Sequence, residues 1–307
     1  MNTSKAVLEK VRLSIGKGEP FSFDIQRDDL IDPIISGNKW RKLKYNLLKA
    51  EELFKLGVLT FGGPFSNHLI ATAKAAHHFN LKSIGIVRGN ELNQDSNATL
   101  KACPDFGMNL IFISRSEYQR KDDPYFLKEL SSKYPDYFIV PEGGKNYYGV
   151  IGCQHILKET DNDYDHIYLA GGTGTTAAGV VLSVPDKTTV NLVSALKGDF
   201  LEKEIKQLLY LVLNDNQLVD EYMQRLNVVN DGHFGGYAKV PEELLDFINT
   251  IYSKIQLKLD PIYTGKAFYK LVNDFENGTI KVNDKVLFIH TGGLQGAQTW
   301  KDKIDFL

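Results

Sequence analysis

His166-Ile167-Tyr168-Leu169-Ala170-Gly171-Gly172-Thr173-Gly174-Thr175-Thr176-Ala177-Ala178-Gly179 changes character twice along its length. It opens as a short apolar strand, passes through a run of glycines and threonines, and continues in small residues suited to a helix. Glycines let successive backbone N–H groups converge on one point, and a helix start favours an anion there. Threonine hydroxyls add donors. In physical terms the stretch is a phosphate cup. No Gly-Lys-Ser/Thr follows, so it is not a nucleoside-triphosphate loop. The G-x-G-x-x-G spacing of a dinucleotide site is absent, as is an acidic ribose partner. The plainer alternative is a tight strand-to-helix turn in a doubly wound sheet.

The same strand-then-helix alternation extends in both directions. Strands are expected at 21–26, 58–61, 83–87, 110–113, 137–140, 166–170, 189–196 and 286–290. Helices are expected at 39–56, 66–79, from 95, and at 125–133, 150–158, 200–213, 242–257 and 265–276. Alternation of this kind implies parallel sheets joined by crossover helices. No repeat, low-complexity segment or Pro/Ser-rich linker interrupts it, so two α/β lobes of one compact chain are expected. Asn214–Gly236 is polar with weak periodicity and reads equally as a loop over a site or a surface excursion.

The chain has 307 residues, 43% hydrophobic and 24% charged, with a net charge of −2. Length and composition allow a sizeable core, and the charge balance argues against a nucleic-acid partner. Two cysteines, Cys103 and Cys153, are too few for a disulfide framework and lack metal-ligand spacing, so no metal site is expected. The first ten residues lack the apolar centre of a signal peptide. A reduced, cytoplasmic setting fits both features. The uncharged run Ile167–Val184 is long enough to raise the question of a membrane span, but its centre is too rich in Gly and Thr for a lipid-facing helix.

A second stretch bears on chemistry. In Ser36-Gly37-Asn38-Lys39-Trp40-Arg41-Lys42-Leu43, Gly37 and Asn38 permit a tight turn, which puts Lys39 at or just before the first turn of the following helix. Unpaired N–H groups and positive dipole charge there disfavour the protonated amine, as a lysine nucleophile needs. Taken alone, Lys39, Arg41, Lys42 and Lys44 read more simply as a solvated basic helix face. Ser66, in Gly63-Pro64-Phe65-Ser66-Asn67-His68, reads as a helix N-cap, with Leu69, Ala73 and Ala76 on the inner face.

Arg27-Asp28-Asp29 followed by Gly37-Asn38-Lys39-x-Arg41-Lys42-Leu43 resembles the cofactor-linking lysine region of the 1-aminocyclopropane-1-carboxylate deaminase and D-cysteine desulfhydrase family. Pro141-Glu142-Gly143-Gly144-Lys145-Asn146, Asp260-Pro261-Ile262-Tyr263-Thr264-Gly265-Lys266 and His290-Thr291-Gly292-Gly293 resemble further segments of it, in order. Lys145 replaces the family's usual serine, and Leu69-Ile70 its usual Thr-Arg.

The resemblance implies a tryptophan-synthase-β-like fold of type II. On it, residues 1–45 and 155–307 form a larger cofactor-binding domain and residues 46–154 a smaller one. It implies pyridoxal 5'-phosphate linked to Lys39, with the phosphate held by Gly172, Thr173, Gly174, Thr175 and Thr176. Asn67 would contact the cofactor's ring hydroxyl, and Thr264 would face its ring nitrogen. Catalysis would rest on Lys39, Ser66 and Tyr263. Ser66, Asn67, His68, Tyr237 and Thr291 would meet a small amino-acid substrate.

Where the deaminases carry glutamate after the tyrosine, the desulfhydrases carry Ser or Thr. Thr264 and Thr291 therefore point to β-elimination from a small D-amino acid, above all D-cysteine. The alternatives are 1-aminocyclopropane-1-carboxylate deamination and a cofactor-binding protein without turnover. A homodimer is the family expectation.

Overall fold

The computed structural model describes residues 6–15, 19–158, 160 and 163–307. In chain order its elements begin with β1 (Leu8–Leu13), β2 (Phe21–Gln26), α1 (Asn38–Glu52), β3 (Gly57–Gly62), α2 (Asn67–His78) and β4 (Lys82–Arg88). Next come α3 (Ala98–Asp105), β5 (Met108–Ile113), α4 (Arg115–Tyr118), α5 (Pro124–Lys133), β6 (Tyr137–Val140) and α6 (Tyr147–Gln154). Then follow β7 (His166–Gly171), α7 (Thr175–Val181), β8 (Thr189–Ser194), α8 (Phe200–Leu213), α9 (Asn216–Met223) and β9 (Leu226–Val229). The chain closes with α10 (Glu242–Ile255), α11 (Thr264–Glu276) and β10 (Val286–Ile289).

Among the described residues two sheets result, one of six strands in the order β1-β2-β10-β7-β8-β9 and one of four in the order β5-β4-β3-β6. Every pairing among them is parallel except β1 with β2. β3 is buried along its whole length, and β4 is buried between its charged ends. Such continuous apolar runs suit strands covered by helices on both faces.

Each face carries its own core. One side of the large sheet packs Phe23, Tyr168 and Phe288 against Ile248, Phe268 and Leu271 of α10 and α11. The other packs Ile167, Leu169 and Leu192 against Val150, Val180, Leu201 and Ile205 of α6, α7 and α8. On the four-stranded sheet, α1 and α2 meet through Trp40, Leu43, Leu47, Ala71 and Ala75. Ligands in sheets of this kind bind beyond the carboxyl ends of the strands. Here β3, β6, β7 and β10 release Gly63–Ser66, Pro141–Gly144, Gly172–Gly174 and His290–Gly293 in turn.

Several expectations are corrected. α1 ends at Glu52, and Leu48 and Leu53 face solvent; Trp40, Leu43, Leu47 and Ala50 form its inner face. The basic run is not a solvated face, since Arg41 and Lys42 are buried. Asn214–Gly236 contains α9 and the edge strand β9, which leaves only residues 230–241 irregular. β1 was hidden by its charged residues, a usual feature of an edge strand. Ile167–Val184 resolves into β7, a turn and α7, and among the described residues no helix is long and apolar enough to cross a membrane.

Candidate active site

The site begins where three chain segments touch. Gly37 has φ +59°, and a Cβ there would lie 2.0 Å from the Thr291 carbonyl oxygen. The following N–H, of Asn38, donates to that carbonyl at 3.2 Å. Only a residue without a side chain lets the start of α1 lie against the end of β10. His290 fixes the other side of this contact: its Nε2 donates to Lys258 O at 2.7 Å, and its Nδ1 accepts Gly292 N–H at 3.2 Å. Gly37→Ala is therefore expected to cost ~2 kcal/mol or more, from strain plus backbone collision. Denaturant unfolding beside the wild type would measure this.

Lys39 lies in the first turn of α1 and donates to Asn38 Oδ1 at 2.9 Å. Asn38 Nδ2 in turn donates to Thr176 Oγ1 at 2.9 Å, which ties α1 to the glycine–threonine turn. Burial is the main force on the Lys39 ammonium, followed by the positive charge of Lys42. Together they outweigh the attraction of Asp260 and bring its pKa to about 7. The sequence pointed to helix-end charge; the tertiary structure supplies a stronger cause.

Lys42 is the residue that sequence reasoning left in the basic run. It is 4% exposed, and its side chain lies against Gly144. Its ammonium has no hydrogen bond or ion pair among the described residues. Burial lowers its pKa. It lies near Cys153, a neutral thiol pushed up to about 11 by burial and hydrogen-bonded to Thr176. The only hint in the sequence was its spacing of three from Lys39, one helical turn away.

The glycine–threonine turn has the expected form. Gly174 is left-handed at φ +74°, and α7 starts at Thr175. The hydroxyls of Thr173 and Thr175 lie 3.1 Å apart. Across the cleft, Ser66 caps α2 by accepting Leu69 N–H at 3.3 Å. Asn67 Nδ2 donates to Gly293 O at 3.5 Å. His68 is turned inward: its Nε2 is 2.9 Å from Thr60 Oγ1, and the ring also interacts with the Pro141 backbone. Burial, then Lys39 and Lys42, bring its pKa to about 3, so it is neutral at any working pH. Lys145 pairs with Glu204 of α8 and takes no part in this cluster.

Tyr263 and Thr264 complete the site from the start of α11. A Cβ on Gly172 would lie 3.3 Å from the Tyr263 ring, so tyrosine and turn face each other closely. Burial is the chief cause, and Tyr237 the next, of a Tyr263 pKa well above that of a free phenol. Tyr237 is half exposed and meets Tyr263 edge-on, ring centroids 6.1 Å apart. Thr264 is fully buried, with its hydroxyl on Asp260. Thr291 is also buried, and its carbonyl makes the Gly37–Asn38 contact.

This arrangement fits a phosphorylated aromatic aldehyde. Buried Lys42, with no anion among the described residues, lies near Cys153, which bonds Thr176 of the donor-rich turn; Lys39 has a lowered pKa, and Tyr263 bounds the space opposite. Among the described residues no cluster of three His, Cys, Asp or Glu side chains could hold a metal.

Comparison with known proteins agrees. The family model for "Pyridoxal-phosphate dependent enzyme" matches residues 12–292. A Thermotoga maritima protein, named provisionally as a 1-aminocyclopropane-1-carboxylate deaminase, is 31% identical over 90% of this chain and 90% of its own. The Arabidopsis thaliana "Bifunctional D-cysteine desulfhydrase/1-aminocyclopropane-1-carboxylate deaminase, mitochondrial" is 30% identical over 92% of this chain and 74% of its own. A solved "ACC deaminase homologue" superimposes with a TM-score of 0.75 at 27% identity, covering 92% of this chain and 88% of the other. The chain belongs to the pyridoxal-phosphate-dependent enzymes, in the family of 1-aminocyclopropane-1-carboxylate deaminase and D-cysteine desulfhydrase.

Proposed function

We propose that this lyase acts by β-elimination on a small D-amino acid, converting D-cysteine to sulfide, pyruvate and ammonia. Pyridoxal phosphate, when bound, supplies the electron sink that makes the amino acid's α-proton removable. Gly172–Thr176 and the Lys42 ammonium hold its phosphate, Asn67 its ring hydroxyl, and Thr264 its ring nitrogen. Ser66, Asn67 and the first N–H groups of α2 take the substrate carboxylate, with Tyr237 and Thr291 bordering the side chain; the His68 side chain, turned inward onto Thr60, does not reach it. Lys39, with a pKa of about 7, is matched to taking the α-proton near neutral pH. Ser66, the N-cap of α2, is a second proton carrier.

The observation that carries the choice of reaction is the place of Tyr263, whose ring lies against Gly172 of the glycine–threonine turn. Its hydroxyl is a phenol at neutral pH, and burial and then Tyr237 raise its pKa further. A phenol can give its proton to a departing thiolate. It is ill suited to attack or deprotonate a cyclopropane ring. The names of the relatives favour deamination of 1-aminocyclopropane-1-carboxylate as the second reading.

Holoenzyme would be supplied separately with D-cysteine, L-cysteine and 1-aminocyclopropane-1-carboxylate. Sulfide with pyruvate from D-cysteine alone is expected. Efficient formation of 2-oxobutanoate, with D-cysteine untouched, would overturn the reading. Turnover of none of them, with bound cofactor retained, would leave a binding protein without turnover.

The lowered pKa of Lys39 gives a separate prediction. Only the neutral amine reacts with the cofactor aldehyde. Below about pH 7 the rate of apoenzyme reconstitution should rise about tenfold per pH unit, and it should flatten above that pH. An ordinary lysine would keep climbing towards pH 10. Stopped-flow absorbance across this range checks it.

A further inference from the structure

Asp260 stands in the turn before α11 and is fully buried. Each carboxylate oxygen accepts two hydrogen bonds. Oδ1 takes Ile262 N–H at 2.9 Å and Tyr263 N–H at 2.7 Å. Oδ2 takes Thr264 N–H at 2.9 Å and the Thr264 hydroxyl at 2.6 Å. Thr264 Oγ1 also accepts the N–H of Asp260 itself at 2.9 Å. Asp260 has no ion pair among the described residues, although Lys39 and Lys266 both feel its charge.

A hydroxyl has one hydrogen and two acceptor positions. At Thr264 the hydrogen is committed to Asp260, and one acceptor position to the Asp260 N–H. A single lone pair is left for anything else that approaches. The separation of 2.6 Å marks this as a charge-assisted bond, stronger than one between neutral groups. Turning the hydroxyl away would leave a buried carboxylate oxygen short of a donor, which is costly.

We propose that Asp260 is a positioning residue that fixes the Thr264 hydroxyl as a hydrogen-bond acceptor towards the cofactor ring nitrogen. The inference rests on the reading of Thr264 as that nitrogen's neighbour. A ring nitrogen facing only a lone pair, with a carboxylate one bond behind it, is held in its protonated form. A threonine here then acts as a relay of carboxylate charge. It is not the neutral, donating partner that its residue type suggests. Discrimination between elimination and ring opening falls to Tyr263, since a protonated ring serves both.

The test uses holoenzyme reconstituted with pyridoxal phosphate labelled with nitrogen-15 in the ring, observed by NMR without substrate. The expected wild-type signal lies in the pyridinium range, with a one-bond coupling to hydrogen. In Asp260→Asn the side-chain amide can donate to Thr264, which frees the hydroxyl to turn towards the ring. The signal should then move to the range of bare pyridine and lose its coupling. A bare pyridine signal in the wild type would overturn the proposal without recourse to any variant. So would an unshifted signal in Asp260→Asn when Thr264→Val shifts it. If Thr264→Val leaves the wild-type signal unchanged, the placement of Thr264 beside the nitrogen is what fails.

Discussion

Lys39→Ala, reconstituted with pyridoxal phosphate and passed through gel filtration, is expected to emerge without the long-wavelength absorbance that the wild type retains. Turnover should fall by about 10³-fold or more, because the variant loses both the covalent attachment and the base that takes the α-proton. The fold should persist. The one side-chain hydrogen bond of Lys39 among the described residues is to its neighbour Asn38. Removing an ammonium whose charged form is already disfavoured by burial and by Lys42 also relieves a cost. Unfolding midpoints should therefore match or exceed the wild type. Retained absorbance with full turnover would show that another amine carries the cofactor. Loss of absorbance together with loss of cooperative unfolding would make Lys39 structural.

Arg41→Met is expected to be the most destabilising single change outside the apolar core, by about 3–5 kcal/mol. Arg41 Nε and Nη2 reach both oxygens of Asp28 at 3.0 and 2.9 Å, and Nη1 donates to His155 O at 3.2 Å. Asp28 is completely buried, and its other side-chain donor is Gln26 at 3.2 Å. Removing the guanidinium leaves a carboxylate in the interior without compensation. Its position makes matters worse: a Cβ on Gly152 would sit 1.9 Å from Arg41 O, so α1 and α6 are in backbone contact here and cannot close the gap. The double variant Arg41→Met, Asp28→Asn should recover much of the loss, since no charge is then stranded. Urea unfolding of the three proteins measures this. Additive losses would show that the pair is not coupled.

These two residues stand two positions apart in one short run, and the sequence did not separate them. As text, Lys39, Arg41, Lys42 and Lys44 are a basic face. In the folded chain Lys39 has a lowered pKa, Arg41 neutralises a buried aspartate, and Lys42 is buried against Gly144. The Arg27-Asp28-Asp29 signature is explained in the same way. Arg27 bridges Asp29 and Glu9, and Asp28 receives Arg41. Its residues brace the lysine turn from below.

What the sequence determined by itself was local or periodic. Apolar runs between helical patterns gave parallel sheets, because strand and helix periods are written in consecutive residues. Gly172–Thr176 announced a strand-to-helix turn, Ser66 a cap, and Gly37 a turn, because backbone conformation there depends on the residue itself. Edge strands β1 and β9 escaped, since only pairing with a neighbouring strand makes them strands. The tertiary structure decided the charge states and the directions of hydrogen bonds. The Lys39 pKa depends on burial and on Lys42, burial and then Tyr237 raise the Tyr263 pKa, and the Thr264 hydroxyl points where Asp260 draws it. Desolvation and hydrogen-bond geometry arise between surfaces brought together by folding, and neither follows from the spacing of residues along the chain.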